Sequence, residues 1–211
     1  MSKPLPRILA LDIATHFGWA YGIPGETPRG GAKRFAVAGA SNGLIGRGCL
    51  NWFVEFLKVS PVDALYFEAP FDPRQMGDRT TFATARVLIG LPFLIETLAE
   101  AKSIFRVREC MVGDVRKHFT GRNARGDDGK ASVQLQCRAL GWSFSNDNEA
   151  DAKAVWSYAC SIEAPGIKPA ATTPLFSFRP KSADPAPAAT PSGRPSSIIL
   201  PDVDEKDEIP F

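Results

Sequence analysis

The segment ILALDIATHFGWAYGI, residues 8–23, decides the fold of this chain. Residues 8–13 form a short apolar run closed by an acid, Asp12, and residues 18–23 follow a tight turn that contains glycine. Apolar runs separated by such a turn predict an antiparallel hairpin. Residues 32–39, AKRFAVAG, are expected to add a third strand and complete an antiparallel meander.

Helices and strands alternate downstream of the meander. Residues 42–59 and 80–102 carry apolar side chains at helical spacing, and the second segment is expected to be interrupted or kinked near Gly90 and Pro92. Strands are predicted over residues 63–70 and 103–109, and helices over 112–119, 127–140 and from 146–148 to about 160. This order predicts an α/β fold with a mixed central sheet, three antiparallel N-terminal strands and flanking helices.

The composition changes sharply near Pro165, where the chain becomes rich in Pro, Ala, Ser and Thr. Such a segment buries too little apolar surface to offset its ordering entropy, which predicts a disordered C-terminal tail. We therefore expect a folded domain over residues 1–164, a flexible linker over 165–200, and an acidic and hydrophobic tip over 201–211.

The overall composition excludes several classes of protein. The four cysteines include no CxxC pair and no neighbouring histidine cluster, which argues against a zinc site or a secreted disulfide framework. No apolar run approaches the roughly 20 residues needed to span a bilayer, and Asp12 interrupts any signal-peptide core. We expect a soluble intracellular protein without a membrane partner. The net charge of +2 is too small to indicate a partner.

Three acids occupy positions where α/β proteins build their sites. Asp12 and Glu68 each end an apolar strand, and Asp151 lies in the first turns of the last helix. An acid in a buried strand is costly unless a cation compensates it, and carboxylate oxygens suit Mg²⁺ or Mn²⁺. Any one of these acids alone is more simply a solvated strand end or helix cap. Taken together, they favour a metal site able to hydrolyse a phosphodiester with two ions about 4 Å apart.

Four motifs in order resemble the RuvC-like Holliday-junction resolvases of phages and bacteria: LALDIATHFGWA, LYFEAP, VGDVRKHFTGRNARGDD and DNEADAKAVW. The resemblance covers about residues 7–163. It implies an RNase H-like fold, a homodimer, and an Mg²⁺- or Mn²⁺-dependent endodeoxyribonuclease that nicks opposed strands of a four-way junction. It also implies a bacterial or phage-infected host cytoplasm. Four acids hold two ions in this family, and Asp12, Glu68 and Asp151 match the first, second and last of them.

The fourth acid of the family pattern is replaced here by Asn148. On a helix, Asp147 and Asp151 are four residues apart and share a face, whereas Glu149 points elsewhere. We therefore predict Asp147 as the replacement, with Asn148 as a possible neutral oxygen ligand.

Basic residues predict the surface that holds branched DNA, although an ordinary solvated surface is the simpler alternative. The predicted phosphate contacts lie in the loop after Glu68 and between residues 116 and 130: Arg74, Arg79, Arg116, Lys117, Arg122, Arg125 and Lys130. Lys117 or His118 is a further hypothesis for stabilising charge on the scissile phosphate. His16 is structural or faces the substrate.

The last residues resemble the C-terminal tip of bacterial single-stranded DNA-binding proteins, a match short enough to arise by chance. The resemblance implies that the tip binds DNA-repair or replication proteins through Asp207, Glu208, Ile209, Pro210 and Phe211. The alternative is that the tail competes with DNA for this protein's own basic cleft.

Three other functions are open. Actin-like and sugar-kinase ATPases share the strand–Asp–Gly turn, but they need two domains and a second glycine-rich phosphate loop. A non-catalytic DNA-binding module would explain Asn148. A nuclease of the same fold would act on other DNA branches or on RNA–DNA hybrids.

Overall fold

The computed structural model describes residues 4–14, 16–37, 39–70 and 81–171. The loop with Arg74 and Arg79 and the tip with its five predicted partner-binding residues lie outside the described residues.

Five strands form one mixed sheet in the order β3-β2-β1-β4-β5. The strands are β1 (Ile8–Asp12), β2 (Phe17–Gly22), β3 (Arg29–Lys33), β4 (Ala64–Glu68) and β5 (Val107–Cys110). β1–β2 and β2–β3 pair antiparallel, whereas β1–β4 and β4–β5 pair parallel. Both β1 and β4 are apolar runs buried on both faces, as expected for central parallel strands. The predicted mixed sheet with three antiparallel N-terminal strands is confirmed.

The third strand lies earlier than the predicted residues 32–39. β3 is RGGAK, a sequence with poor strand propensity, and it pairs Arg29 with Tyr21 and Lys33 with Phe17. Phe35, which suggested a later strand, instead packs its ring 5.0 Å from that of Phe17. The strand prediction over 103–109 also began too early, since β5 starts at Val107.

Five helices cover the two faces of the sheet: α1 (Asn42–Val59), α2 (Phe82–Ala101), α3 (Val112–Thr120), α4 (Gly126–Ala139) and α5 (Asp147–Glu163). Alternate residues of β1 and β4 point to opposite faces. Leu9 and Leu65 join the core formed with α1 and α2, while Ile8 and Tyr66 join the core formed with α3, α4 and α5. The side chain of Asn146 begins α5 by accepting the N–H of Glu149 at 3.0 Å.

α2 continues through Pro92, so the helix is not interrupted there; of the two predicted outcomes, the kink stays a prediction. Its buried residues Val87, Leu91, Ile95 and Ala99 recur every four positions on both sides of the proline, and their packing holds the two halves in one helix.

The helix α2 is also long and apolar enough to cross a membrane by length and composition alone, with a mean hydropathy of 1.6. The expectation that no segment meets this criterion was therefore wrong, although the core helix of a soluble domain meets it too.

Candidate active site

Asp12 and Glu68 lie side by side at the carboxyl ends of two central strands. β1 and β4 are parallel, with Leu11 paired to Phe67, and each acid is the next residue along its strand. Asp151 reaches the same edge from above, because α5 packs across β1 and β2 and places it in the second turn. The three predicted acids therefore converge at one edge of the sheet.

The charges of these acids act on one another. Burial, and then the charges of Glu68 and Asp151, raise the pKa of Asp12 well above its usual value. Burial and the charge of Asp151 raise the pKa of Glu68 to about 7. Burial is also the main cause that raises the pKa of Asp151 to about 6. The cluster thus has an excess of negative charge that the surrounding protein neutralises only in part.

Asp147 lies at the same site but carries a cation of its own. Lys130 Nζ lies 2.7 Å from Asp147 Oδ2, and this hydrogen bond is the main cause that lowers the pKa of Asp147. The Lys130 charge also lowers the pKa values of Asp12, Glu68 and Asp151. One ammonium group therefore acts on all four acids.

Arg116 is the second cation at the cluster. It is half-buried, its Nη1 donates to the carbonyl oxygen of Ala124 at 3.1 Å, and its charge lowers the pKa values of Glu68 and Asp151. Sequence reasoning placed Arg116 and Lys130 among the DNA contacts. It missed that their charges act directly on the acids.

The remaining basic residues face outward. Lys117 and Arg125 are exposed, and Arg122 is exposed with its Nη2 donating to Ser132 Oγ at 2.7 Å. His118 packs its ring against Tyr158, with Nε2 3.2 Å from Ser157 Oγ. These contacts hold the exposed His118 ring against α5, and its role at the scissile phosphate stays a prediction; His16 is also exposed.

The acids fit a divalent cation by donor chemistry and by charge. All are hard oxygen donors, and the pKa values of three of them stay raised, mainly by burial, although the charges of Lys130 and Arg116 lower them in part. Among the residues described, however, no three Asp, Glu, His or Cys side chains form a ready-made metal-binding group. Like charges repel, and Lys130 holds Asp147, so a bound cation would have to draw the carboxylates together.

A pocket of about 180 Å³ opens beside Asp12 and Glu68. Its apolar lining includes Leu88 and Pro92 of α2 and Val112 at the start of α3. The acids therefore line one side of a recess large enough for part of a substrate.

Comparisons with known proteins find relatives by structure. No family model and no curated protein matches the chain by sequence. The structure of Thermus thermophilus RuvC matches with a TM-score of 0.55 at 17% identity, over 74% of this chain and 95% of that one. The same protein in complex with a Holliday junction substrate matches with a TM-score of 0.54 at 17% identity, over 71% and 90% of the two chains.

A third match is the yeast mitochondrial Holliday junction resolvase Ydc2, with a TM-score of 0.51 at 11% identity, over 74% of this chain and 78% of that one. At these identities the likeness shows the fold. The chain has the RuvC-like variant of the RNase H-like fold, as its motifs predicted.

Proposed function

We propose that this protein is a structure-selective endodeoxyribonuclease that resolves four-way DNA junctions by metal-dependent hydrolysis. The observation that carries the proposal is the convergence of half-buried Asp12 and Glu68 and buried Asp151, with only partial compensation of their charge, at one edge of the sheet. The fold supports the choice of substrate, because the neighbour from T. thermophilus was solved with a Holliday junction.

In this proposal Asp12, Glu68 and Asp151 hold two Mg²⁺ or Mn²⁺ ions. When bound, such ions supply an activated water and stabilise the leaving oxygen of a phosphodiester. The protein contributes negative oxygen donors on a rigid strand edge, which fixes where the phosphate lies relative to them. The apolar wall of Leu88, Pro92 and Val112 keeps bulk water away from one side of that position.

Asp147 and Asn148 supply the remaining ligand position. Lys130 Nζ lies 2.7 Å from Asp147 Oδ2, so Asp147 becomes free to bind a metal ion when Lys130 pairs with another anion. A DNA phosphate is such an anion, and substrate binding would then complete the ligand set. Arg116 is held by Ala124 and stays at the cluster, where it offsets part of the negative charge.

We also propose that the protein acts as a homodimer through α2. Phe82, Ile89 and Phe93 are 80%, 44% and 66% exposed, and their spacing of seven and four residues places them on one stripe of the helix. An apolar stripe of this kind in contact with water favours a self-complementary twofold interface. Sedimentation equilibrium should give a dimer for the wild type and a monomer for Phe93→Asp.

Labelled four-way junctions, flaps, duplexes and RNA–DNA hybrids, each with Mg²⁺, with Mn²⁺ or with EDTA, test the activity. We expect paired symmetric nicks in the junction only, in both metals and not in EDTA. Cleavage of flaps or hybrids at the same rate would replace the junction resolvase with a broader nuclease. Junction binding without cleavage in either metal would leave a DNA-binding module.

A further inference from the structure

α5 contains a second charged pair that the proposed chemistry does not use. Lys153 Nζ lies 2.9 Å from Glu149 Oε1, and the two side chains are only 3% and 8% exposed. An ion pair buried this deeply is rare, because two charges have to leave water. It therefore needs an explanation beyond surface solubility.

Both charged side chains also form hydrogen bonds with the segment that precedes α5. Glu149 Oε2 accepts the backbone N–H of Ser145 at 2.9 Å and its hydroxyl at 2.8 Å, while Lys153 Nζ donates to the carbonyl oxygen of Ser143. The helix and the chain that leads into it are thereby fixed together.

Two glycines of the sheet allow the same turn of α5 to pack closely against the strands. A methyl group on Gly30 of β3 would lie 2.8 Å from Lys153 Cε and 2.9 Å from Glu149 Oε1. A methyl group on Gly18 of β2 would lie only 2.0 Å from the carbonyl oxygen of Asn148. The glycines allow the ion pair and the helix backbone to pack directly against the two strands. This close packing also explains why β3 has the sequence RGGAK, whose intrinsic strand propensity is low.

The pair and the acids lie on opposite sides of α5. An α-helix turns about 100° per residue, so Glu149 and Lys153 share one face, and Asp151, two residues from each, points about 200° away. Asp147 shares the face of Asp151. Anchoring the first face to β3 therefore sets the direction in which the second face points.

We propose that Glu149 and Lys153 are positioning residues whose buried ion pair fixes the rotation of α5, so that Asp147 and Asp151 face Asp12 and Glu68. This inference rests on the proposed function for its consequence, since a misdirected Asp151 would weaken cation binding. Replacing a buried pair by apolar side chains of similar size is often neutral for stability. The role of this pair is orientation, which stability measurements alone would not detect.

The test compares the full-length wild type with Glu149→Met/Lys153→Met. The matched control is Glu55→Met/Lys58→Met, which removes an exposed pair of α1 that lies 2.6 Å apart. Mn²⁺ affinity is measured by calorimetry without DNA, and kcat and KM are measured on a four-way junction. For the buried-pair variant we expect Mn²⁺ binding to weaken about 10-fold and kcat to fall about 100-fold, with KM unchanged. The control should match the wild type.

Gly30→Ala is the second variant, because it keeps both charges and its methyl group would displace them from the β3 side; the same methyl group would also lie 2.9 Å from the Trp19 carbonyl oxygen of β2. We expect Gly30→Ala to weaken Mn²⁺ binding and to lower kcat, as in the double variant. If the double variant does not unfold cooperatively, the result for Gly30→Ala tests the positioning role on its own. Wild-type Mn²⁺ affinity and kcat in a folded double variant, or in Gly30→Ala, would overturn the inference. A wild type that binds Mn²⁺ but cuts no branched DNA would overturn the proposed function only, since the Mn²⁺ comparison contains no DNA.

Discussion

The charges of acidic side chains are compensated differently at the two ends of the central parallel strands. At the amino end, Asp63 accepts three hydrogen bonds of 2.8 Å from Arg7, and these bonds are the main cause that lowers its pKa to about 2. Nearby, Glu163 accepts from Arg106 Nη1 at 2.7 Å and from the hydroxyl of Tyr66 at 2.8 Å. Each acid at this end has a full set of partners.

At the carboxyl end, half-buried Asp12 and Glu68 lie beside buried Asp151, and loss of solvation and repulsion between neighbouring acids raise their pKa values. The same sheet thus compensates its charges where they hold the fold together and leaves them in excess where a ligand is expected. A local departure from complete compensation is a common mark of a functional site. The comparison predicts that mutations at the two ends have different consequences.

The largest effect is expected for Asp12→Asn at the carboxyl end. The amide keeps the size of the side chain but removes a negative donor, so junction cleavage should fall by at least about 1000-fold, the scale on which losing one group that stabilises charge in a transition state acts. Junction affinity should be unchanged, because the proposed phosphate contacts lie on other residues. Gel-shift and cleavage assays on the same junction measure both quantities, and cleavage close to the wild-type rate would refute the assignment.

The matched change at the amino end is Glu163→Gln. It weakens the contacts with Arg106 and Tyr66 and should lower the free energy of unfolding by about 1–3 kcal/mol, as for other hydrogen bonds to charged groups. Cleavage per folded molecule should stay at the wild-type rate. Urea unfolding together with the junction assay checks this division, and a large loss of kcat without a loss of stability would contradict it.

The pH dependence of stability should differ in sign between the two ends. The folded-state pKa values of Glu68 and Asp151, about 7 and about 6, lie above the ordinary 4.5 and 3.8, so the folded protein binds more protons between about pH 4 and 7. In EDTA, the free energy of unfolding should therefore fall by about 1–3 kcal/mol as the pH rises through that window. Asp63 contributes in the opposite direction, since its lowered pKa gives stability that is lost as the pH falls from about 4 to 2.

Glu68→Gln separates the two contributions. The variant should lose the part of the decline between pH 4 and 7 that comes from Glu68. It should keep the part that comes from Asp151, whose pKa is raised mainly by burial, and it should keep the loss of stability at acid pH. Mg²⁺ should restore stability to the wild type at pH 8 and have little effect on the variant. Thermal unfolding across the pH range measures all three, and a stability that rises steadily from pH 4 to 7 in EDTA would contradict the raised pKa values.

The sequence predicted the positions of the acids because each depends on a local pattern. Asp12 and Glu68 end apolar runs that had to be buried strands, and Asp147 and Asp151 share a face through their spacing of four. Their functional roles stay predictions. The convergence itself followed from the rule that parallel strands present their carboxyl ends at one edge of a sheet.

The partners of the acids were not predictable in the same way. The pairing of Lys130 with Asp147 joins α4 to α5 across 17 positions, and the inward direction of Arg116 depends on its contact with the Ala124 carbonyl. The strand RGGAK was missed because its glycines are selected by contact with α5 and not by strand propensity. The spacing of Glu149 and Lys153 was visible, but on a surface helix the same spacing indicates only an exposed pair.

The smallest effect is expected for the exposed cation beside this cluster. Arg116 and Lys117 are neighbours on α3, but Arg116 is half-buried and acts on the acids, whereas Lys117 is exposed. If Lys117 contacts a phosphate, Lys117→Met should weaken junction binding only about 2- to 5-fold and reduce the slope of log affinity against log salt by about one. Cleavage at saturating protein should be unchanged, because Lys117 is exposed and is not among the main charges that shift the pKa values of the acids. A series of binding isotherms between low and moderate salt measures the slope, and an unchanged slope would remove Lys117 from the DNA-binding surface.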